Sequence, residues 1–135
     1  MIWIENNIGW ILVASGILTC AALLQAVAPR FGMMNLFGEE VKAPSALLII
    51  RSWGAMVFVS GLLLIYAAYH SDQRFPILFY SITVKLGLAG LVFSGGARYR
   101  AKQIFKIAVA DFVQALLFVW YLIAACVRDA ARLTV

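Results

Sequence analysis

The sequence predicts an all-α integral membrane protein in which four transmembrane helices form one antiparallel bundle. Apolar residues make up 64% of the 135 residues and charged residues only 13%, about half the charged share of a water-soluble domain. The mean hydropathy of +0.95 indicates that lipid solvates most of the chain. Four continuous apolar runs are each long enough to cross a hydrocarbon layer of about 30 Å.

The apolar runs cover residues 8–27, 46–68, 75–93 and 107–127, and the whole chain, residues 1–135, is predicted to form a single membrane domain. Strands of a membrane barrel would instead alternate apolar and polar residues and would need closure that four segments cannot provide. The connections between the runs are short, so successive helices are expected to pack antiparallel. Pro44 and Pro76 stand where the second and third helices begin, which suits the first turn of a helix.

Two segments around the first connection need separate interpretation. The first run ends in Ala26-Val27-Ala28, a pattern that signal peptidase prefers. We expect it to stay in the protein as a span, because no basic residue precedes it and it exceeds the roughly 7 to 15 apolar residues of a signal sequence. The apolar stretch 31–37 is too short to span, so we expect it at the interface or under the bundle, ended by Gly38.

Basic residues outside the runs predict the orientation of the bundle. Six lie in the first and third connections: Arg30, Lys42, Arg98, Arg100, Lys102 and Lys106. Three lie on the other side: Arg74, Arg128 and Arg132. Since basic connections stay in the cytoplasm, both termini are predicted to lie outside the cytoplasm. The net charge of +5 is therefore attributed to loops that face anionic lipid, and no nucleic-acid partner is expected.

Aromatic residues near the outer ends of the predicted helices are typical of an interfacial belt. These residues are Trp3, Trp10, Tyr66, Tyr69, Trp120 and Tyr121. The alternative is that their side chains pack between the helices.

Charged residues inside the spans are the best candidates for a functional site, because a charge in hydrocarbon normally faces the bundle interior or finds a partner. At about 1.5 Å per residue, Arg51, Lys85 and Asp111 lie roughly 8, 12 and 6 to 10 Å inside the cytoplasmic edge of their helices. Ser81 lies one turn from Lys85, and Gln114 one turn from Asp111. We therefore expect one polar cluster in the cytoplasmic half of the membrane, comprising Gln25, Arg51, Ser81, Lys85, Asp111 and Gln114.

Two interpretations of this cluster stay open. Two cations and one carboxylate leave an excess positive charge, which an anionic lipid, a small anion or the carbonyl of a quinone-like molecule would balance. Alternatively, the charges only hold the helices in register. Arg51 is the weaker member, because its long side chain can reach the headgroups.

Motifs for catalysis and metal binding give no further candidates. No glycine-rich phosphate loop, catalytic carboxylate pair or nucleophile elbow occurs, so we expect no catalytic residues, no cofactor and no enzymatic activity of the chain's own. His70 is the only histidine and lies with Asp72 in a short turn, which excludes a histidine-rich metal site. Cys20 lies toward the cytoplasmic end of the first span and Cys126 at the outer end of the fourth. They are therefore too far apart to form a disulfide, and we expect two unpaired, buried thiols.

Part of the sequence resembles a known group. The motifs Ile50-Arg51-Ser52-Trp53-Gly54 and Ser60-Gly61-Leu62-Leu63-Leu64, with Lys85 in the next helix, resemble small four-helix bacterial inner-membrane proteins of the DoxX-like group and related uncharacterised families. That resemblance implies an accessory subunit of a respiratory or sulfur-oxidation membrane complex, and it assigns no catalytic residue.

Together, these observations lead to a small accessory or assembly subunit of a membrane complex. Its expected partners are membrane lipid and either a partner subunit or a second copy of the chain. The alternative is a small transporter or a protein that binds lipid or another apolar ligand, with Lys85 and Asp111 as the functional pair. A membrane enzyme acting on quinone or lipid is the third alternative.

Overall fold

The computed structural model describes residues 2–133, without the side chains of residues 2–5, 129, 132 and 133. The chain is 89% helical and no strand occurs among the described residues, which confirms the all-α class. A 3-10 turn, Ser71–Gln73, joins the fourth and fifth of the α-helices. The helices are α1 (Ile2–Cys20), α2 (Leu23–Val27), α3 (Pro29–Phe37), α4 (Pro44–Tyr69), α5 (Arg74–Ser94), α6 (Ala97–Arg100) and α7 (Gln103–Leu133).

Four stretches are long and apolar enough to cross a membrane: Asn6–Val27, Pro44–Tyr69, Ser71–Ser94 and Gln103–Arg128. They coincide with the four predicted runs and extend slightly beyond them. Within the most apolar window of each stretch, only 22% of the residues are buried, or 33% in the third stretch. Most of each helix therefore faces outward, as expected of a multi-pass membrane protein in contact with lipid.

The first stretch is interrupted between α1 and α2. The amides of Ala21 and Ala22 donate to the carbonyls three residues earlier, at 3.3 and 3.1 Å, and the amide of Gln25 donates to Ala22 O at 3.0 Å. This is the hydrogen-bond pattern of a 3-10 turn. Irregular backbone at membrane depth is tolerated where it lines a cavity or is buried in protein, and both alanines line a cavity described below.

Glycines let the first stretch approach α4 closely. A Cβ atom added at Gly61 would lie 2.8 Å from Gly16 O and 2.7 Å from Cys20 Sγ. A Cβ added at Gly54 would lie 2.6 Å from Ala26 N. Because real side chains do not approach so closely, glycine is required at both positions of α4. Small residues at such crossings are typical of membrane helices, which gain contact area by close backbone approach.

The core contains residues from all four long helices. Buried side chains from α1, α4, α5 and α7 form one apolar cluster: Ile8, Leu12, Leu64, Ala67, Leu78 and Phe118. A smaller cluster of Val92, Ile104 and Ala108 joins the end of α5 to the start of α7. The four stretches thus pack around one apolar centre rather than as separate hairpins.

The first and third connections contact each other. Lys102 Nζ lies 2.6 Å from Glu39 Oε1, and Arg98 Nη2 lies 3.9 Å from the same oxygen. The hydrogen bond from Lys102, together with its charge, lowers the pKa of Glu39 below its usual value. The ring of Phe37 at the end of α3 meets the ring of Tyr99 in α6 edge to face, with centroids 6.1 Å apart. These contacts place both connections on the same side of the protein.

Three local features differ from or refine the sequence-based expectations. Residues 94–106 were expected to be a basic loop, but they contain α6 and the start of α7, separated from α5 by Gly96 with φ of 58°. The stretch 31–37 lies within α3, which ends at Gly38 with φ of 65°. Both cysteines are free, but Cys126 is exposed and Cys20 is half-buried, so the expectation of two buried thiols was wrong.

Candidate functional site

The centre of the candidate site is an ion pair between two helices. Lys85 of α5 and Asp111 of α7 lie with Nζ 2.5 Å from Oδ1. Their side chains are 5% and 17% exposed. Lys85 falls on the buried face of α5 together with Ser81, one turn earlier. The structure therefore brings together the lysine and the carboxylate that the sequence singled out.

Hydroxyl and amide groups extend this pair to the first helix. Lys85 Nζ donates to Thr19 Oγ1 at 3.3 Å, and Thr19 Oγ1 donates to Ser15 O at 2.8 Å. Ser15 Oγ in turn donates to Gln114 Oε1 at 2.5 Å, one turn beyond Asp111 on α7. Polar contacts thus connect α1, α5 and α7 inside the apolar core.

The sequence analysis missed Ser15 and Thr19. Their spacing of four residues places both hydroxyls on one face of the first helix, which is the signal that could have identified them. That signal is weak, because a hydroxyl in a helix can bond the carbonyl four residues back and then needs no other partner. Thr19 forms such a bond and also accepts from Lys85.

Arg51, by contrast, is not brought into this cluster. Its side chain is exposed, and it makes no ion pair or hydrogen bond among the described residues. Arg51 lies two turns inside the start of α4, from where a long side chain can extend to the headgroup region. The pair is therefore one cation with one anion, and Arg51 does not add the excess positive charge that was expected from the sequence.

A cavity of about 400 Å³ lies beside the ion pair. Its walls come from α1, α2, α3, α4, α5 and α7, and most of the lining is apolar. Three of the predicted polar residues line it: Gln25, Asp111 and Gln114. A second cavity of about 210 Å³ is lined by Lys85, Ser81 and Ser60, among others. The two cavities share five lining residues, Thr19, Trp53, Val57, Leu88 and Asp111, so the ion pair lies where they adjoin.

Gln25 is the one member of the predicted cluster with an unsatisfied buried atom. The residue is 6% exposed, and its Oε1 has no hydrogen-bond partner among the described residues. The side chain is held by close packing, since Cβ atoms added at Gly32 and Gly54 would lie 3.1 Å from its Cγ and 2.9 Å from its Cβ. An unpaired buried acceptor costs about 1–3 kcal/mol. Native proteins retain few such groups.

Other polar groups lie near the turn between α4 and α5. The half-buried Arg74 donates to the carbonyls of Ala67 and Ala68, each at 2.9 Å, and lines a third cavity of about 360 Å³. His70 is exposed and stacks on Tyr66 with ring centroids 3.9 Å apart. Across residues 2–133, no group of three or more histidine, cysteine, aspartate or glutamate side chains is arranged to hold a metal ion. The pair of Lys85 and Asp111 is the most buried ion pair among the described residues.

Comparison with protein-family models, with curated proteins and with solved structures finds no match to this chain. The resemblance to the DoxX-like group stays a prediction. The functional inference therefore depends on the geometry of the site.

Proposed function

We propose that this chain is an inner-membrane protein that binds an amphipathic, lipid-like molecule between its helices. The observation that carries this proposal is the cavity of about 400 Å³, whose mostly apolar walls also contain the carboxylate of Asp111 and the amide of Gln114. Ligand cavities commonly measure about 300–1,000 Å³ and combine apolar walls with a few polar groups that orient the ligand. A molecule with an apolar body and a small polar head matches this lining.

The alternative, in which the polar residues only hold the helices together, explains less of the site. The alternative fits the hydrogen bonds among Ser15, Thr19, Lys85, Asp111 and Gln114, but these bonds leave the second oxygen of Asp111 and the amide N–H groups of Gln114 without a partner among the described residues. Gln25 takes no part in those contacts and still lies buried at the cavity wall. Apolar packing would normally fill a space of this size, because protein interiors are close-packed.

Binding is also better supported than the role of accessory subunit. A surface that binds a partner subunit in the membrane would be apolar and exposed, and so is a surface that only contacts lipid. The exposed apolar sides of these helices therefore do not favour a partner subunit over lipid. The accessory role stays a prediction from the resemblance. Ligand binding, in contrast, accounts for buried features that neither lipid nor a partner chain at the outer surface would contact.

For the arrangement in the membrane, we propose an antiparallel bundle with both termini outside. The contact between Glu39 and Lys102 supports a common side for the first and third connections. At the other end, Trp10, Tyr66, Tyr69 and Trp120 are exposed, which favours an interfacial belt over packing between helices. Tyr121 is half-buried, and the side chain of Trp3 lies outside the described residues.

Cysteine labelling in intact cells tests this orientation. In a variant without the two native cysteines, Ser71→Cys in the exposed turn between α4 and α5 should react with a membrane-impermeant maleimide. Ala101→Cys, exposed on the opposite side, should react only after the cells are opened. The reverse pattern would show that the termini are cytoplasmic.

Trp53 offers a direct reporter of ligand binding, because it lines both cavities. In a variant with Trp53 as the only tryptophan, reconstituted in nanodiscs, we would add a bacterial lipid extract whose unsaturated chains have been brominated. Bromine quenches tryptophan on contact. A lipid that enters the cavity should quench Trp53 saturably at a low mole fraction, whereas lipid at the outer surface quenches in proportion to its concentration.

Two comparisons separate cavity binding from contact at the surface. A variant with Trp10 as the only tryptophan reports surface lipid, because Trp10 is exposed and lines neither of these two cavities. Ala110→Phe should fill the larger cavity and remove the saturable quenching of Trp53, whereas Val113→Phe, exposed on the same helix, should retain it. Quenching of Trp53 that stays proportional to lipid concentration in the parent protein would contradict the proposal.

A further inference from the structure

We infer that the ligand bound in the larger cavity has an uncharged head that donates hydrogen bonds, as a lipid alcohol such as diacylglycerol does. This inference rests on the proposed function and specifies the chemical class of the ligand. The observations that carry it are the balanced ion pair, the free carboxylate oxygen of Asp111 at the cavity wall and the position of Lys106, a further cation that lines the cavity.

Charge balance at the buried end of the cavity favours a neutral head. Lys85 and Asp111 are paired one to one, and Arg51 is exposed and makes no contact with the pair. An added anion there would lie beside the carboxylate of Asp111 without a buried cation of its own. Burial of an unpaired charge is far more costly than burial of a hydroxyl.

One acceptor at the cavity wall is left without a donor. Asp111 lines the cavity and binds Lys85 through Oδ1, and no hydrogen bond to its other oxygen occurs among the described residues. Carboxylate and phosphate groups in their ionised form offer only acceptors, which cannot satisfy this oxygen, whereas a hydroxyl can donate to it.

The same wall also provides a donor for the oxygen of that hydroxyl. Gln114 lines the cavity, and its Oε1 is engaged by Ser15 Oγ. Its amide nitrogen carries two N–H groups, and neither has an acceptor among the described residues. A lipid alcohol can therefore donate to Asp111 and accept from Gln114, which uses both functions of one small neutral group.

Lys106 provides the contrasting possibility of an anionic head. It also lines the larger cavity, but its side chain is exposed, about 7.5 Å along α7 from Asp111 at 1.5 Å per residue. An anion held there would leave the second oxygen of Asp111 without a donor. We therefore take the neutral donor as the ligand, and binding of an anion through Lys106 is a result that would overturn this inference.

Three lipids with the same brominated chains test the head group in the Trp53-only protein. They are diacylglycerol, the same molecule with its hydroxyl acetylated, and phosphatidic acid. We expect saturable quenching by diacylglycerol, with at least about tenfold weaker binding of the acetylated lipid and of phosphatidic acid, since each lacks the neutral donor. Equal or tighter binding of the acetylated lipid would overturn the inference. Tighter binding of phosphatidic acid than of diacylglycerol would also overturn the inference. If that binding were then lost in Lys106→Gln, Lys106 would be identified as the residue that holds the anionic head.

The outcomes also separate this inference from the proposed function. If the brominated bacterial extract quenches Trp53 saturably but diacylglycerol does not, the cavity binds a lipid of another class and only the inference fails. If neither quenches saturably, the proposed function fails, and this inference fails with it.

Discussion

A double-mutant cycle tests whether Lys85 and Asp111 stabilise the protein as an ion pair. In Lys85→Met the carboxylate stays in the core without its cation, and in Asp111→Leu the ammonium stays without its anion. Both side chains are mostly buried, at 5% and 17% exposure. Removing one partner of a buried pair costs about 3 kcal/mol or more, which agrees with the roughly 2.5–3.5 kcal/mol for a charge at the centre of a membrane helix.

The double variant Lys85→Met/Asp111→Leu should behave differently, because it leaves no unpaired charge. Replacement of a whole buried pair by apolar residues is often neutral, so we expect a loss of less than about 1 kcal/mol. The measurement is the free energy of unfolding in mixed micelles, titrated with a denaturing detergent. Arg51→Met is the control, and it should change that free energy by no more than about 0.5 kcal/mol, since Arg51 is exposed.

Losses that simply add in the double variant would refute the reasoning, because each residue would then act without the other. A loss in Arg51→Met as large as that in Lys85→Met would show that Arg51 also belongs to the cluster. Retained stability in all three single variants would mean that the charges are not paired in the membrane.

Three further predictions concern other parts of the fold. Because Lys102 lowers the pKa of Glu39, their ion pair stabilises the fold above the usual pKa of 4.5, and this stabilisation is lost as the pH falls through the lowered pKa. The temperature of unfolding in detergent should therefore fall over this acid range in the parent, and the part of that fall due to Glu39 should be absent in Glu39→Gln. Gly61→Ala should lower the free energy of unfolding by about 1–3 kcal/mol, whereas Gly90→Ala, where an added Cβ meets nothing within 4 Å, should not. Gly87→Leu, at an equally open position that lines only the smaller of the two cavities, should leave both stability and the saturable quenching of Trp53 unchanged, because the ligand occupies the larger cavity.

The sequence predicted the four membrane-spanning helices because lipid selects long apolar runs directly. It also singled out Lys85 and Asp111, because a charge inside such a run is rare and needs a partner. These features depend on composition along the chain. They do not require knowledge of how each helix is rotated about its own axis.

Features that depend on helix rotation could not be read from the sequence. The helix that carries Arg51 is apolar on every side, so its hydropathy does not show which way the arginine points. The interruption at Ala21 and Ala22 gives no signal either, since alanine is the best helix former. The cavity follows from this interruption and from the close approach of helices at Gly54, and both appear only when the helices are assembled.

The central claim, that the cavity holds a lipid-like molecule, is tested most directly by native mass spectrometry of protein released from its own membranes. The parent should retain one bound molecule with the mass of a lipid after the surrounding detergent is stripped, and Val113→Phe should retain it as well. Ala110→Phe, which fills the cavity, should lose it. A parent protein that appears only at the mass of the bare chain, or an Ala110→Phe variant that retains the molecule, would contradict the claim.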